Sequence, residues 1–171
     1  GEHQAGNAAL ALAVGGELGM CRDKMMPGLA ATPVSRMRLQ LSEREGVRWL
    51  NDAYNANADS TRAALATLVN IHGAGKRYVV LGEMAELGKH AIAAHQEAGR
   101  EVAELAEGLI AVGQFAEVTA KAAHEAGLAR IAAVAEAREA ASILREWLQP
   151  GDVVLLKASR VARLEKVEEL F

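Results

Sequence analysis

Residues 78–112 read Tyr-Val-Val-Leu-Gly-Glu-Met-Ala-Glu-Leu-Gly-Lys-His-Ala-Ile-Ala-Ala-His-Gln-Glu-Ala-Gly-Arg-Glu-Val-Ala-Glu-Leu-Ala-Glu-Gly-Leu-Ile-Ala-Val. Two short unbroken apolar runs, Tyr78–Leu81 and Leu109–Val112, bracket a segment with helical spacing, Ala91–Ala106. Apolar runs without polar alternation predict strands buried on both faces, and a helix between two of them predicts a βαβ unit with parallel strands. The same alternation of periods extends outward. Val47–Leu50 precedes it, and Ile131–Val134 and Val153–Leu156 follow. Helical spacing fills Thr61–Ile71, Ala116–Ala126 and Ala137–Leu148, and a last helical segment begins at Val161. Gly127 and Pro150-Gly151 close helices, while Asp59-Ser60 offers capping oxygens ahead of Thr61. The prediction is an α/β fold with a doubly wound, mostly parallel sheet.

The first 46 residues break this rhythm. Asn7–Leu18 reads as an alanine-rich helix with no strand after it, and Asp23–Ala31 as a second short helical stretch interrupted by Pro27. Thr32-Pro33-Val34-Ser35 reads as a linker. Met37–Leu41 alternates like a strand, and Ser42–Gly46 is placed to turn it back onto Val47–Asn51, making the first strand antiparallel. The expected division is therefore 1–35, the end of another domain with its linker, and 36–171, a domain of its own. Such a chain reads as a piece of a larger protein.

With 171 residues, 51% hydrophobic and 24% charged, the composition is that of a globular chain rather than a disordered one. The formal charge of −3, from 19 Lys+Arg against 22 Asp+Glu, argues against a strongly basic nucleic-acid or membrane-surface protein. A single cysteine, Cys21, leaves no disulfide framework and no cysteine-based zinc cluster. No apolar run approaches the roughly 18–20 residues of a membrane span, and Gly1-Glu2-His3-Gln4 does not resemble the start of a secretory signal. The expectation is a cytoplasmic protein with no membrane insertion. Aromatics are only 4%, which predicts a broad, thin core of Val, Leu, Ile and Ala.

In open parallel sheets, ligands bind beyond the carboxyl ends of the strands. The loops expected there are Asn51–Ser60, Gly82–Gly88 with His90 and His95 beyond it, Gly113-Gln114-Phe115 and Lys157-Ala158-Ser159-Arg160, while the loop after Val134 offers little. Acid, amide, cation and hydroxyl thus converge on one edge. The dinucleotide fingerprint Gly-x-Gly-x-x-Gly does not occur, nor does the phosphate loop Gly-x-x-x-x-Gly-Lys-Ser/Thr; Gly75-Lys76 precedes its strand and no Ser or Thr follows. The Lys157–Arg160 turn combines two cations with backbone N–H groups at a helix start, a combination suited to an anion. Nothing in the chain would activate ATP unaided.

The string Asn51-Asp52-Ala53-Tyr54-Asn55-Ala56-Asn57-Ala58-Asp59-Ser60 resembles the Asp-x-Tyr-Asn-Ala-Asn-Pro-Asp-Ser motif of the Mur ligase family, in its D-alanyl-D-alanine-adding branch. Gly1-x-His3-x-x-x-Asn7-Ala8, Arg38-Leu39-Gln40, Gly82-Glu83-Met84-x-Glu86-Leu87-Gly88 and Leu156–Arg160 resemble the same family in the same order. The likeness covers the whole chain. Ala58 stands where proline is usual, Glu83 where aspartate is common, and Ala158 where glycine would let the backbone approach a ligand.

The resemblance implies that 36–171 is a Rossmann-like C-terminal lid domain and 1–35 the end of the central ATPase domain. It implies an ATP-dependent ligase of peptidoglycan precursor synthesis that adds D-alanyl-D-alanine to UDP-N-acetylmuramoyl-tripeptide through an acyl phosphate. ATP and Mg2+ would be held mainly by upstream domains, the fragment alone would be inactive, and a monomer is expected. By the same resemblance Asn7 and His3 would face the nucleotide base, Arg38 would contact the nucleotide with Arg36 as the alternative, and Asp52 would accept the ribose hydroxyls. Asn55, Asn57, Lys157, Ser159 and Arg160 would serve the dipeptide or phosphate side, with Glu86 and His95 at the same mouth. No residue of the fragment is assigned a certain catalytic role, and none a metal.

Each residue has a plainer reading. Asp52 caps its loop, Asn55 and Asn57 satisfy backbone groups, and Lys157, Ser159 and Arg160 cap a helix start and form salt bridges. Arg38 is then a solvated hairpin arginine, Asn7 a surface helix residue and His3 a frayed terminal one. Two other functions stay open: a related amide ligase using another amino acid, or a non-catalytic α/β module binding a nucleotide or a protein partner.

Overall fold

A computed structural model of the chain describes residues 2–32, 35–72 and 75–171, with side chains from residue 5 onward. Pro33 and Val34 of the expected linker lie outside the described residues. The chain divides into two units, Gly1–Ser35 and Arg36–Phe171.

The first unit holds α1 (Glu2–Glu17) and α2 (Arg22–Ala30). Helix α2 runs through Pro27 rather than breaking there, so the backbone bond that an N–H at 27 would make is simply missing. No residue of α2 is buried, and Leu10, Val14, Leu18, Met20 and Met26 are all exposed.

The second unit carries β1 (Gln40–Arg44), β2 (Val47–Asp52), α3 (Ala58–Val69), β3 (Arg77–Leu81), α4 (Ala91–Leu105), β4 (Gly108–Val112), α5 (Ala116–Glu125), β5 (Ile131–Val134), α6 (Ala137–Trp147), β6 (Val153–Lys157) and α7 (Glu165–Leu170). Single 3-10 turns occupy Gly88–His90 and Arg160–Ala162. The six strands form one sheet in the order β1-β2-β6-β3-β4-β5. Only the β1–β2 pair is antiparallel. The expected doubly wound α/β sheet with an antiparallel first strand is the fold observed.

Unbroken apolar strands follow from burial on both faces. Val154 and Leu156 pack with Ala140, Ala141 and Leu144 of α6 and Val167 of α7, whereas Val153 and Leu155 pack with α3, α4 and α5 through Leu65, Leu68, Val102 and Ala123. The core expected from composition, built mainly of Val, Leu, Ile and Ala, is found on both faces. The first concentrates the aromatics: Trp49 meets Phe171 with ring centroids 5.0 Å apart, and Tyr78 meets Trp147 at 6.0 Å. A few large rings gathered on one face supply contact area that alanine cannot.

Two local expectations shift. The first strand runs Gln40–Arg44 rather than Met37–Leu41, because the hairpin turns on Glu45 and Gly46 alone, with φ of 53° and 76°. Two consecutive residues of positive φ make the tight turn whose twist matches paired strands, and it fixes Arg44 opposite Val47. Met37 and Leu39 have φ of 57° and 49° and lie outside the strand. Helix α3 starts at Ala58, not Thr61: Asn57 is its N-cap, accepting the Ser60 N–H at 2.8 Å, while Ser60 Oγ accepts the Asn57 N–H at 3.1 Å.

Candidate functional site

The carboxyl ends of β2, β6 and β3 lie side by side, with Asp52 and Leu81 both in register with Lys157. Lys157 closes the central strand, so its side chain emerges inside the protein and is only 2% exposed. Its ammonium donates to Asp52 Oδ2 at 2.5 Å and to the Asn55 carbonyl at 2.7 Å. Asp52 Oδ1 accepts the Leu39 N–H at 3.0 Å. Each Asp52 oxygen thus has one protein partner and retains further lone-pair capacity.

Ser159 joins the neighbouring loops. Its N–H donates to the Glu83 carbonyl at 2.7 Å, and its Oγ accepts the Ala85 N–H at 2.9 Å while lying 3.4 Å from both Asn55 Oδ1 and the Ala56 carbonyl. The Asn51–Ser60 and Gly82–Gly88 loops and the Lys157–Arg160 turn are therefore one hydrogen-bonded assembly. Asn55 Oδ1 accepts the Ala56 N–H at 2.9 Å, and Asn57 caps α3. Both asparagines are exposed and both spend their carbonyl oxygen on backbone.

The Ala158 side chain points into the core. It is fully buried in the α6/α7 core, and a Cβ added at Gly82 would lie 2.7 Å from the Ala158 Cβ. The residue that must lack a side chain here is Gly82, while position 158 carries its methyl group in the core.

Above this buried layer lies an exposed one. The Tyr54 ring, 40% exposed, has the Arg38 guanidinium 4.5 Å from its centroid and that of Arg160 5.6 Å from it. Backbone bonds on either side of Arg38 set it there: the Met37 carbonyl accepts the Tyr54 N–H at 3.1 Å, and Leu39 binds Asp52. Among the described residues Arg36 makes no cation–π or ion-pair contact. Tyr54, quoted in the motif but given no role from sequence, is the centre of this stack.

Beside the rim, beyond the ends of β4 and β5, is a cavity of about 500 Å³ lined by Glu83, Gly113, Glu136, Arg138, Arg163 and Lys166 among others. The loop after β5, from which little is expected in sequence, supplies Glu136, and the first turn of α6 supplies Arg138. No motif marks Arg163 or Lys166; only the packing of the final segment brings them here. Asn7 is exposed on α1, in the other unit, and the His3 side chain lies outside the described residues. Glu86 is exposed with a φ of 64°, and His95 is buried behind the Gly82–Gly88 loop. Among the described residues no group of three His, Cys, Asp or Glu side chains is placed to hold a metal, and no helix is long and apolar enough to cross a membrane.

An open, mostly parallel sheet with helices on both faces and a polar rim at its carboxyl edge defines a domain of the doubly wound α/β class. Residues 36–160 match the family model described as "Mur ligase, glutamate ligase domain". The chain belongs to the Mur ligase family. It is similar to the UDP-N-acetylmuramoyl-tripeptide–D-alanyl-D-alanine ligases of Mycobacterium tuberculosis strain H37Rv (40% identical, covering 99% of this chain and 38% of the relative) and Bacillus subtilis (31%, covering 98% and 37%). Among solved structures it resembles crystal structure II of MurF from Acinetobacter baumannii, with a TM-score of 0.87 at 31% identity over 99% of this chain and 38% of that one. It also resembles MurF from Thermotoga maritima in complex with ADP, with a TM-score of 0.72 at 28% identity over 94% and 35%. The chain spans less than two-fifths of the length of these relatives.

Proposed function

We propose that residues 36–171 are the lid domain of an ATP-dependent ligase that joins D-alanyl-D-alanine to UDP-N-acetylmuramoyl-tripeptide, and that residues 1–35 are the end of its central ATPase domain. The observation that carries this reading is the Arg38–Tyr54–Arg160 stack, held on a base of half-buried Asp52 and buried Lys157 and Ser159 within the motifs that resemble this branch. Exposed guanidiniums on an aromatic ring suit phosphate or carboxylate groups, and the base below keeps them in place.

In this reaction a tripeptide carboxylate oxygen attacks the γ-phosphorus of ATP, giving an acyl phosphate and ADP. The dipeptide amine then attacks the acyl carbon, phosphate leaves and the amine loses a proton. Arg38 and Asp52 serve the nucleotide, Asp52 through the ribose hydroxyls, and Asn7 and His3 serve the adenine. Asn55, Asn57 and Arg160 face the dipeptide or phosphate side, positioned by Lys157 and Ser159. The neighbouring cavity, lined by both acids and cations, suits the zwitterionic dipeptide. Magnesium would neutralise the phosphates and would be held mainly by upstream parts of the longer protein. The cytoplasm and a monomeric state are part of the same reading.

Steady-state kinetics of the longer ligase, varying each substrate in turn, tests the assignment. Asp52→Ala and Arg38→Ala should lower ATP-dependent efficiency by roughly 10- to 150-fold, the worth of a hydrogen bond to a charged group, and leave the UDP-tripeptide dependence nearly unchanged. Arg36→Ala is the registration control. An unchanged ATP dependence in Asp52→Ala sinks the ribose role. The 171-residue chain alone should release no phosphate above a heat-killed control with both substrates present; turnover would overturn the lid reading.

A further inference from the structure

The Gly82–Gly88 loop is gripped from behind by a histidine the proposed reaction does not use. His95 lies on α4 and is 2% exposed. Its Nδ1 stands 2.7 Å from the Ala91 carbonyl, and a carbonyl can only accept, so Nδ1 carries the proton. Nε2 is then a bare lone pair, and the Met84 backbone N–H donates to it at 3.1 Å. The ring stacks on Phe115 with centroids 4.3 Å apart and planes inclined by 23°. Both nitrogens are used, and only the neutral ring of this one tautomer can use them.

The next amide along the chain, that of Ala85, is held by Ser159 Oγ. Two consecutive amides of the loop are thus pinned by side chains from different elements, and one of these, Ser159, also touches the Asn55 loop.

We infer that His95 is a positioning residue, a neutral imidazole whose Nε2 lone pair sets the Gly82–Gly88 loop against Ser159 and so shapes the rim. The inference rests on the proposed ligase only for what the loop serves; the grip itself stands on these contacts. Protonation would place a second N–H at Nε2, facing the Met84 N–H, and two donors cannot share a bond.

Burial holds the His95 pKa below the ordinary imidazole value, opposed by the Ala91 carbonyl and by the Glu83 carboxylate of the loop; the ring facing it from the start of α5, Phe115, is uncharged. Because burial in the fold lowers this pKa, the grip is complete above the ordinary value. It weakens as the pH falls below that value.

NMR of the 171-residue chain tests this directly. Imidazole ¹H–¹⁵N correlations at pH 8 should show the proton on Nδ1; a proton on Nε2 overturns the inference. Hydrogen exchange of the Met84 amide, corrected for intrinsic rate, should speed up about tenfold in His95→Phe, which keeps a stacked ring but offers no acceptor. His95→Gln, whose side-chain oxygen reaches the Nε2 position without titrating, should restore protection and keep it constant from pH 8 to 5, where the wild type loses it. Unchanged protection in a folded His95→Phe overturns the proposal, and so does a His95→Gln profile as pH-dependent as the wild type's. If His95→Phe does not fold, the tautomer and the Gln profile decide.

Discussion

Lys157 and Arg160 lie three positions apart in one turn and carry the same charge, yet their surroundings give them opposite roles. Lys157 is buried, with Asp52 and the Asn55 carbonyl around its ammonium. Arg160 is exposed and stands over the Tyr54 ring. A cation removed from water needs fixed partners, and those partners then fix the backbone that carries them. A cation left in water has no such obligation and can meet a ligand. The rim is therefore built in two layers, one that shapes and one that is free to bind.

The strongest test of that division is Lys157→Met. Removing the ammonium strands the Asp52 carboxylate and the Asn55 carbonyl, and breaking a buried pair costs about 3–5 kcal/mol. Urea unfolding followed by circular dichroism should show a loss of that size; a loss below about 1 kcal/mol would mean the pair is solvated, like an ordinary surface bridge. Arg160→Ala should do the converse. Stability should stay within about 0.5 kcal/mol, while in the longer ligase proposed above the efficiency with D-alanyl-D-alanine should fall roughly 10- to 150-fold. Equal losses of stability in the two variants would erase the distinction between layers.

Gly82→Ala probes the join between the layers. The new methyl would meet Ala158 Cβ at 2.7 Å and Ala162 Cβ at 3.0 Å, so overpacking should cost about 1–3 kcal/mol. Adding Ala158→Gly should recover part of that cost, and strictly additive losses would show that the two positions do not touch. Tyr54→Leu should have the smallest effect. It removes two exposed cation–π contacts at the weak end of their range, about 0.5 kcal/mol each, so the unfolding midpoint should fall only slightly, and its clearer mark should be a looser Arg38 and Arg160, read as faster side-chain motion by NMR relaxation.

Much of this is legible in the sequence. The runs around Tyr78–Leu81 and Val153–Leu156 are apolar at every position because both faces are covered, and that pattern names the fold class directly. The Asp52–Asn57 and Lys157–Arg160 strings were readable as one edge because every parallel strand leaves the sheet on the same side. Less legible were the hairpin register, which two residues of positive φ set, and the start of α3, where Asn57 and Ser60 form a reciprocal cap that Asp59 also resembles in sequence. The cavity beside the rim was not legible at all, since Arg138 and Arg163 come from segments 25 residues apart and share no motif.

Sequence by itself determined the sheet, its one antiparallel strand and which loops meet at the carboxyl edge. These follow from periodicity and local chemistry, which neighbouring residues carry among themselves. Only the tertiary structure decided which charges are buried and which are free, that Gly82 rather than residue 158 must lack a side chain, and that His95 accepts from Met84. Burial and hydrogen-bond partnership depend on what distant segments bring to a point in space, and no spacing along the chain records that distance.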